Sequence, residues 1–541
     1  MRFELPQIPE AEQTPVVQGL LVLIENLIEH TQKQQEEIDV LKDDIKVLKG
    51  EKKRPKFKAS KLDESTDKDT QNTPDESHDD NKKKKPRKRN NKKSLTIHRD
   101  KRIKPDDIPE GSRFKGYQDF VVQELVIHNE NIRYRLERWL TPDGKLLTGR
   151  LPSSLENRHY GSNLVTYLLY QHHHCQVTQP LLIEQLREWG IVISTGQIDK
   201  LLSEGKERFH EEKDALLKTG LTHSTYITVD DSGARHKGKN GYVTHIGNEF
   251  FAWFSSTASK SRVNFLTLLN RQQGTYRLDE NAVDYMKNHK LPGHILALLT
   301  SCTTMSFENK AAWLLHLELL NITKARHQRI ASEGALMSAL LQNTAIEHLA
   351  IISDGAGQFN LLTHGLCWVH AERLIHTLLP MNEAHKEAVA GVREQIWDLY
   401  RQLKAYKQNP CAEDAVNLSK IFDNIFQQKT SYVTLNQSLK RLNKLKDKLL
   451  LVLKRPDIPI HTNGSEGDIR DYVKKRKVSG GTRSALGQKC RDTFVSLKKT
   501  CRKLGISFWE YLHDRHHEQK LASLSDILKF QLSEVASATT L

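Results

Sequence analysis

Cysteine is scarce in this chain of 541 residues. Six are scattered singly, at Cys175, Cys302, Cys367, Cys411, Cys490 and Cys501, and no Cys-x-x-Cys pair occurs. That spacing excludes a zinc-finger framework and a dense disulfide scaffold. With no signal-peptide pattern ahead of them, the expectation is a reduced, cytoplasmic protein. Long apolar runs are missing too, so no membrane association is expected. Hydrophobic residues make up 37% and charged residues 28%. At this length two or more folded units are expected, joined by polar linker.

Positive charge is abundant: the formal net charge is +15, which points to a polyanionic partner. Between Lys82 and Lys104 thirteen Lys/Arg face the single acid Asp100. Lys82, Lys83, Arg87 and Arg89 in that run are candidates for DNA contact. Residues 17–48 carry Leu20, Ile24, Leu27, Thr31, Gln34, Ile38, Leu41, Ile45 and Leu48 at alternating steps of four and three. This heptad seam predicts a coiled coil and a homodimer or higher multimer. Residues 50–104 are low-complexity, acidic and then basic, and predict a disordered linker.

Residues 110–151 predict a small β-rich module from Phe120-Val121-Val122, Ile132-Arg133-Tyr134-Arg135 and the turn Thr141-Pro142-Asp143-Gly144. Residues 155–220 read as helical. The Leu181–Trp189 stripe stops at Gly190, and Ser194-Thr195 caps the next helix, a pattern that matches a helix-turn-helix. His172-His173-His174-Cys175 reads as ordinary helix, because consecutive residues fan outward and cannot converge on one ion.

From about residue 221 the pattern becomes strand, strand, strand, helix, strand. The strands are 226–231, 242–247, 250–255 and, after a largely helical insertion at 271–347, 348–354. That order predicts a ribonuclease-H-like α/β core over 221–380 and 457–515, interrupted by a helical insertion at 381–456 and followed by a tail at 516–541. In such a core the first and fourth strands are neighbours. Asp230 and Asp354, at the ends of those strands, would then meet, and Glu466 lies in the first turn of a predicted helix. Three carboxylates so placed suit Mg²⁺, with Mn²⁺ as a substitute, and phosphoryl transfer. Asp231 competes with Asp230, although strand alternation sends the two side chains to opposite faces. Glu466 also has a plain reading as a helix salt bridge with Arg470 four residues on.

Four stretches resemble the DDE transposases of the insertion sequence 66 family. They are Val229-Asp230-Asp231-Ser232-Gly233, Ser353-Asp354-Gly355, Cys367-Trp368-Val369-His370-Ala371-Glu372-Arg373 and Asn463-Gly464-Ser465-Glu466-Gly467-Asp468-Ile469-Arg470. The resemblance spans roughly residues 155–515 and implies that Asp230, Asp354 and Glu466 are catalytic and metal-binding. It implies cleavage at the ends of a mobile element and strand transfer into target DNA, with accessory transposition proteins as further partners. A transposase-derived DNA-binding protein without catalysis and a structure-selective nuclease stand as alternatives. Arg235, Arg470, Lys474 and Lys477 are candidates for phosphate contact. Cys367 and His370 read as a structural pair, with half a zinc site as the other reading. Two departures stand out: 110–151 lacks the cysteine module common in the family, and the 271–347 insertion is longer than the family's usual connection.

Overall fold

A computed structural model describes residues 97–541, apart from 111, 153–154, 156–158, 271–274, 301–304, 343, 518–519 and 540–541, and in addition residue 23. The coiled coil expected over 17–48, nearly all of the 50–104 linker, and Lys82, Lys83, Arg87 and Arg89 lie outside the described residues. The chain divides into two units, one spanning 27–127 and the other holding 128–541. The described part of the first, 97–127, contains no helix or strand.

In the second unit β1 (Arg138–Leu140) and β2 (Leu146–Thr148) form an antiparallel hairpin, with Trp139 opposite Leu147. The predicted turn closes it: Gly144 N–H donates to the Thr141 carbonyl at 2.9 Å, and Gly144 takes a φ of +77°. The β-rich module expected over 110–151 is otherwise corrected. Among the described residues, Phe120-Val121-Val122 and Ile132–Arg135 pair with no strand and are exposed. A three-residue ribbon has no face large enough to recruit them.

Residues 155–220 are helical as expected, in helices Ser162–Leu169, Gln179–Glu188, Thr195–Ser203 and Glu207–His223. Gly190 stops the second at a φ of +73°. Ser194 caps the third, its hydroxyl accepting from Gln197 N–H at 3.2 Å. The expected histidine helix is instead a π-helical turn, Tyr170–His174, with His173 stacked on Phe494.

The core is a five-stranded sheet built from β3 (Tyr226–His236), β4 (Lys239–Gly247), β5 (Ala252–Thr257), β8 (Ala350–Ser353) and β9 (Thr363–Leu366), in the order β5-β4-β3-β8-β9. The first three are an antiparallel meander; β8 and β9 join in parallel. This mixed sheet with helices around it is consistent with a ribonuclease-H-like fold. Strands β3 and β4 run beyond the predicted limits, because the turn tightens to Lys237-Gly238 and polar Arg235 and His236 still pair with Asn240 and Lys239. Inside the 271–347 insertion, β6 (Tyr276–Leu278) pairs with β7 (Met305–Phe307) beside four helices of eight or more residues.

Helix Ala485–Lys503 covers the β5 edge. Asp492, Ser496 and Thr500, spaced one turn apart, accept from the backbone N–H groups of Ser256, Phe254 and Ala252 at 2.7, 2.9 and 3.2 Å. Alternate N–H groups of an edge strand point outward, so a polar helix stripe at i, i+4, i+8 matches them and closes the β5 edge to further pairing. Helix Glu207–His223 packs so closely that a Cβ on Gly220 would lie 2.4 Å from the Phe251 ring. The 381–456 insertion is helical as expected, with helices Glu383–Tyr406, Ala412–Gln427 and Val433–Asn443 closing a separate apolar cluster around Phe422 and Leu399. The predicted tail instead folds: helix Leu524–Thr539 buries Leu524 and Leu528 and is tied to Glu212 through Leu524 N–H.

Candidate active site

Parallel pairing of β3 with β8 runs Tyr226 to Ala350, Ile227 to Ile351 and Thr228 to Ile352. Continued two residues, the same register sets Asp230, inside β3, beside Asp354, the first residue past the end of β8. Gly355 follows with a φ of +96°, and Asp354 Oδ1 accepts from Ala356 N–H at 2.9 Å. That turn lets the chain leave the strand while the carboxylate stays at its end.

Glu466 arrives from the other side on helix Asn463–Ser479. The helix is seated on the sheet by Ser465 Oγ, which donates to Thr228 Oγ1 at 2.6 Å, and by Arg476, which donates to the Gly233 carbonyl. Thr228 and Asp230 share a strand face, so the residue after Ser465 is delivered toward Asp230. The electrostatics report the same meeting. Burial raises the Asp230 carboxyl to about 6, and the charges of Asp354 and Glu466 add to the rise, while the Asp231 N–H and His370 oppose it. Like charges near one another disfavour ionisation of the most buried.

Asp231 turns away. Its Oδ2 accepts from Gln358 Nε2 at 2.9 Å, and burial raises its carboxyl against the pull of Thr244, Gln358 and Lys260. Of the two adjacent acids, Asp230 is the one that shares its surroundings with Glu466 and His370. The Glu466–Arg470 ion pair expected of an ordinary helix also forms, at 3.7 Å, with Arg470 well exposed. Arg235, Lys474 and Lys477 are exposed as well, and Arg470, Lys474 and Lys477 follow Glu466 along one helix face.

His370 stands closer to the acids than the sequence suggests. Its Nε2 lies 3.5 Å from Glu466 Oε1, an ion-pair distance without hydrogen-bond alignment, so Oε1 is buried with no hydrogen-bond partner. The nearby Cys367 side chain, with Glu466 adding, holds the imidazole above its usual range, while His370 Nδ1 is buried without a hydrogen-bond partner. Burial pushes the Cys367 thiol up, but bonds with His370 and Thr462 outweigh it and leave the thiol below its ordinary value. Cys367 caps helix Trp368–His376, and its N–H donates to the Ser353 carbonyl at 2.9 Å, one residue before Asp354. The Cys367 backbone thus ties the helix start to β8, while His370 faces Glu466. The signal available in the sequence was the three-residue step itself, which puts both side chains on one turn.

A second group of charges, unforeseen from sequence, fixes the same helix. Asp468 Oδ2 lies 3.3 Å from His245 Nε2 and 2.9 Å from Lys503 Nζ, with Lys499 Nζ 3.4 Å from Oδ1. Burial opposes ionisation of Asp468, yet His245, Lys503 and Lys499 hold its carboxyl far below the usual range.

Among the described residues, no three His, Cys, Asp or Glu side chains are gathered tightly enough to hold a metal ion as they stand. No helix among them is long and apolar enough to cross a membrane. The donor chemistry nonetheless fits a hard divalent cation. Asp230 is raised by burial with two neighbouring carboxylates adding, and Glu466 Oε1 is a buried acceptor without a donor.

The family described as Transposase IS66 family matches residues 333–489, a span holding Asp354, Cys367, His370 and Glu466. The uncharacterized protein y4jO of Sinorhizobium fredii is 42% identical over 302 residues, covering 56% of this chain and 94% of that protein. On these matches the chain belongs to the Transposase IS66 family.

Proposed function

We propose that the chain is a DNA transposase that binds the ends of its mobile element, cleaves there and joins the freed 3′ ends to target DNA. The observation that carries this reading is the approach of Asp230, Asp354 and Glu466 from two neighbouring parallel strands and a helix, in a member of a transposase family. Asp230, Asp354 and Glu466 would hold Mg²⁺, or Mn²⁺ in its place. When bound, such ions neutralise charge at phosphorus and make the attacking water or 3′-hydroxyl more acidic.

The chain's own residues do the positioning. Asp230 supplies a carboxylate whose raised proton affinity makes it responsive to a cation. His370 stands against Glu466 and limits where its carboxylate can turn, and Cys367 fixes the His370 ring. Asp468 clamps the helix to β4 and to helix Ala485–Lys503, so Glu466 keeps its height above the sheet. Arg235, Arg470, Lys474 and Lys477 are exposed and would meet backbone phosphates, Arg470 and Lys474 by leaving their ion pairs with Glu466 and Asp471. The 82–104 basic run adds non-specific attraction, and the 17–48 heptads pair two or more copies so that two element ends are held together. Helices Gln179–Glu188 and Thr195–Ser203 would read an end as a helix-turn-helix.

Incubating full-length protein with a labelled element end and target plasmid, in Mg²⁺ and in EDTA, tests the reading. Metal-dependent 3′-hydroxyl products followed by joined products support it. Cleavage without joining would favour a nuclease, and end binding without either would favour a derivative that has lost catalysis.

A further inference from the structure

The turn that follows Asp354 is held at two points by side chains that the chemistry proposed above leaves unused. Ser261 caps helix Arg262–Leu269, its hydroxyl accepting from Asn264 N–H at 3.2 Å, which fixes where the helix begins. One turn on, Phe265 sets its ring edge-on against Phe359, with ring centres 5.0 Å apart. Residues three apart share a helix face, so the same contact lays Arg262 along the short turn Gly357–Phe359. There Arg262 Nη2 donates to the Gly357 carbonyl at 2.6 Å, three residues past Asp354. Gln358 makes the second tie. Its Nε2 donates to Asp231 Oδ2 at 2.9 Å, on the strand face opposite to that of Asp230.

Arg262 is itself set from within the 271–347 insertion. Its Nη1 donates to the Tyr285 hydroxyl at 3.2 Å and lies 3.7 Å from Glu333 Oε2. The Tyr285 hydroxyl donates in turn to Glu333 Oε2 at 3.0 Å. Burial, with Glu333 adding, pushes that hydroxyl up to about 12 against the pull of Arg262, so it remains a donor at neutral pH. The Glu333 side chain is 1% exposed, and Arg329 Nη1 donates to its other oxygen at 3.2 Å. A carboxylate so deeply buried persists where cations and donors compensate it, and those partners also fix its direction. Contacts thus run unbroken from helix Ala325–Leu341 to the backbone that turns after Asp354.

We propose that Arg262 and Gln358 are positioning residues for Asp354, with Tyr285 and Glu333 of the insertion holding Arg262 in place. This rests on the reading of Asp230, Asp354 and Glu466 as metal ligands and deepens it. Asp354 is exposed and stands one residue past the end of β8, outside the strand pairing. Its height is therefore set by the turn beyond it. Ala356 N–H holds the carboxylate, and Arg262 and Gln358 hold the two residues that follow. Because Gln358 bonds the neighbour of Asp230, the spacing of Asp354 from Asp230 is braced through protein on the far face of the sheet. The insertion thereby acts on the site without lending it a ligand.

The test titrates Mn²⁺ against the thermal midpoint of full-length protein without DNA, and Mg²⁺ against the rate of joining. It compares the native chain with Asp354→Ala, Arg262→Met, Arg262→Lys, Gln358→Ala and Glu333→Gln, and urea midpoints in EDTA report folding. Arg262→Met and Gln358→Ala should each weaken Mn²⁺ binding by about tenfold, the lower end for residues that orient a metal ligand. Both should raise the Mg²⁺ needed for half-maximal joining by a similar factor, with the rate at saturating Mg²⁺ within about threefold of native. Arg262→Lys and Glu333→Gln, which keep a donor and an acceptor, should lose less than Arg262→Met. If the variants lower the urea midpoint but bind Mn²⁺ as the native chain does, while Asp354→Ala does not, the inference is overturned and the metal site stands. If Arg262→Met does not fold, half-buried Gln358→Ala decides by the same readings. If Mn²⁺ fails to stabilise the native chain, or stabilises Asp354→Ala equally, the metal site and this inference fall together.

Discussion

His245 Nε2 lies 3.3 Å from Asp468 Oδ2, and His245 is the antiparallel partner of Asp230. Opposed residues of an antiparallel pair share a sheet face. The helix that carries Glu466 is therefore tied, two residues further on, to the very position that faces Asp230. Asp468, Lys499 and Lys503 are largely buried, so losing the one acid leaves desolvated cations behind. Asp468→Ala should lower stability by about 3 kcal/mol, the scale of breaking a buried ion pair from one side. Urea unfolding followed by circular dichroism reads it, and a change below about 1 kcal/mol would show that the cluster is dispensable.

Two buried histidines make stability depend on pH. Burial pulls His210 and His364 each down to about 4, against about 6.5 in an unfolded chain. Their folded values are depressed, so the unfolded state binds more protons between those limits. Their contribution is complete above pH 6.5 and is lost as pH falls through about 4. Near pH 5 each should cost roughly 2 kcal/mol relative to pH 7.5. Replacing both, as His210→Asn with His364→Asn, should flatten the fall in urea midpoint between those two pH values; an equally steep fall would assign it to other groups.

Gly355 holds a φ of +96° immediately after Asp354, a conformation that other residues adopt only under strain. A Cβ there would also come 3.3 Å from Leu366 Cδ2. Gly355→Ala should destabilise by about 1–3 kcal/mol and reduce strand transfer through displacement of Asp354. A thermal midpoint and joining rate both equal to the native chain would show that the turn is more permissive than its backbone indicates.

His370→Ala removes the group 3.5 Å from Glu466 and leaves the Cys367 N–H bond to Ser353 intact. Joining should fall by about tenfold or more, the usual scale for a misplaced catalytic group, with the urea midpoint shifted only slightly. Retained rate would place His370 outside the chemistry.

The sequence made some of this legible and not the rest, for physical reasons. Gly190, Ser194 and the Thr141–Gly144 turn are local signals, and each appears where its chemistry demands. The nearness of Asp230 and Asp354 followed from strand order, since two parallel neighbours in register bring them together, although β3 runs on past Asp230 to His236. The step from Cys367 to His370 was visible, but which way His370 faces depends on packing between helices far apart in sequence. Asp468 looked like one more polar helix residue; only the approach of Lys499 and Lys503 on another helix, with His245 on β4, reveals its work. Phe120–Val122 misled because β-branched residues predict strands only where a neighbouring strand exists to pair with them.

The most direct measurement compares the native chain with Asp354→Ala on a labelled element end in Mg²⁺, scoring end binding, cleavage and joining in one gel. The native chain should bind, cut and join, and the variant should bind equally well while producing neither product. Cutting and joining by Asp354→Ala at the native rate would contradict a catalytic site at Asp230, Asp354 and Glu466.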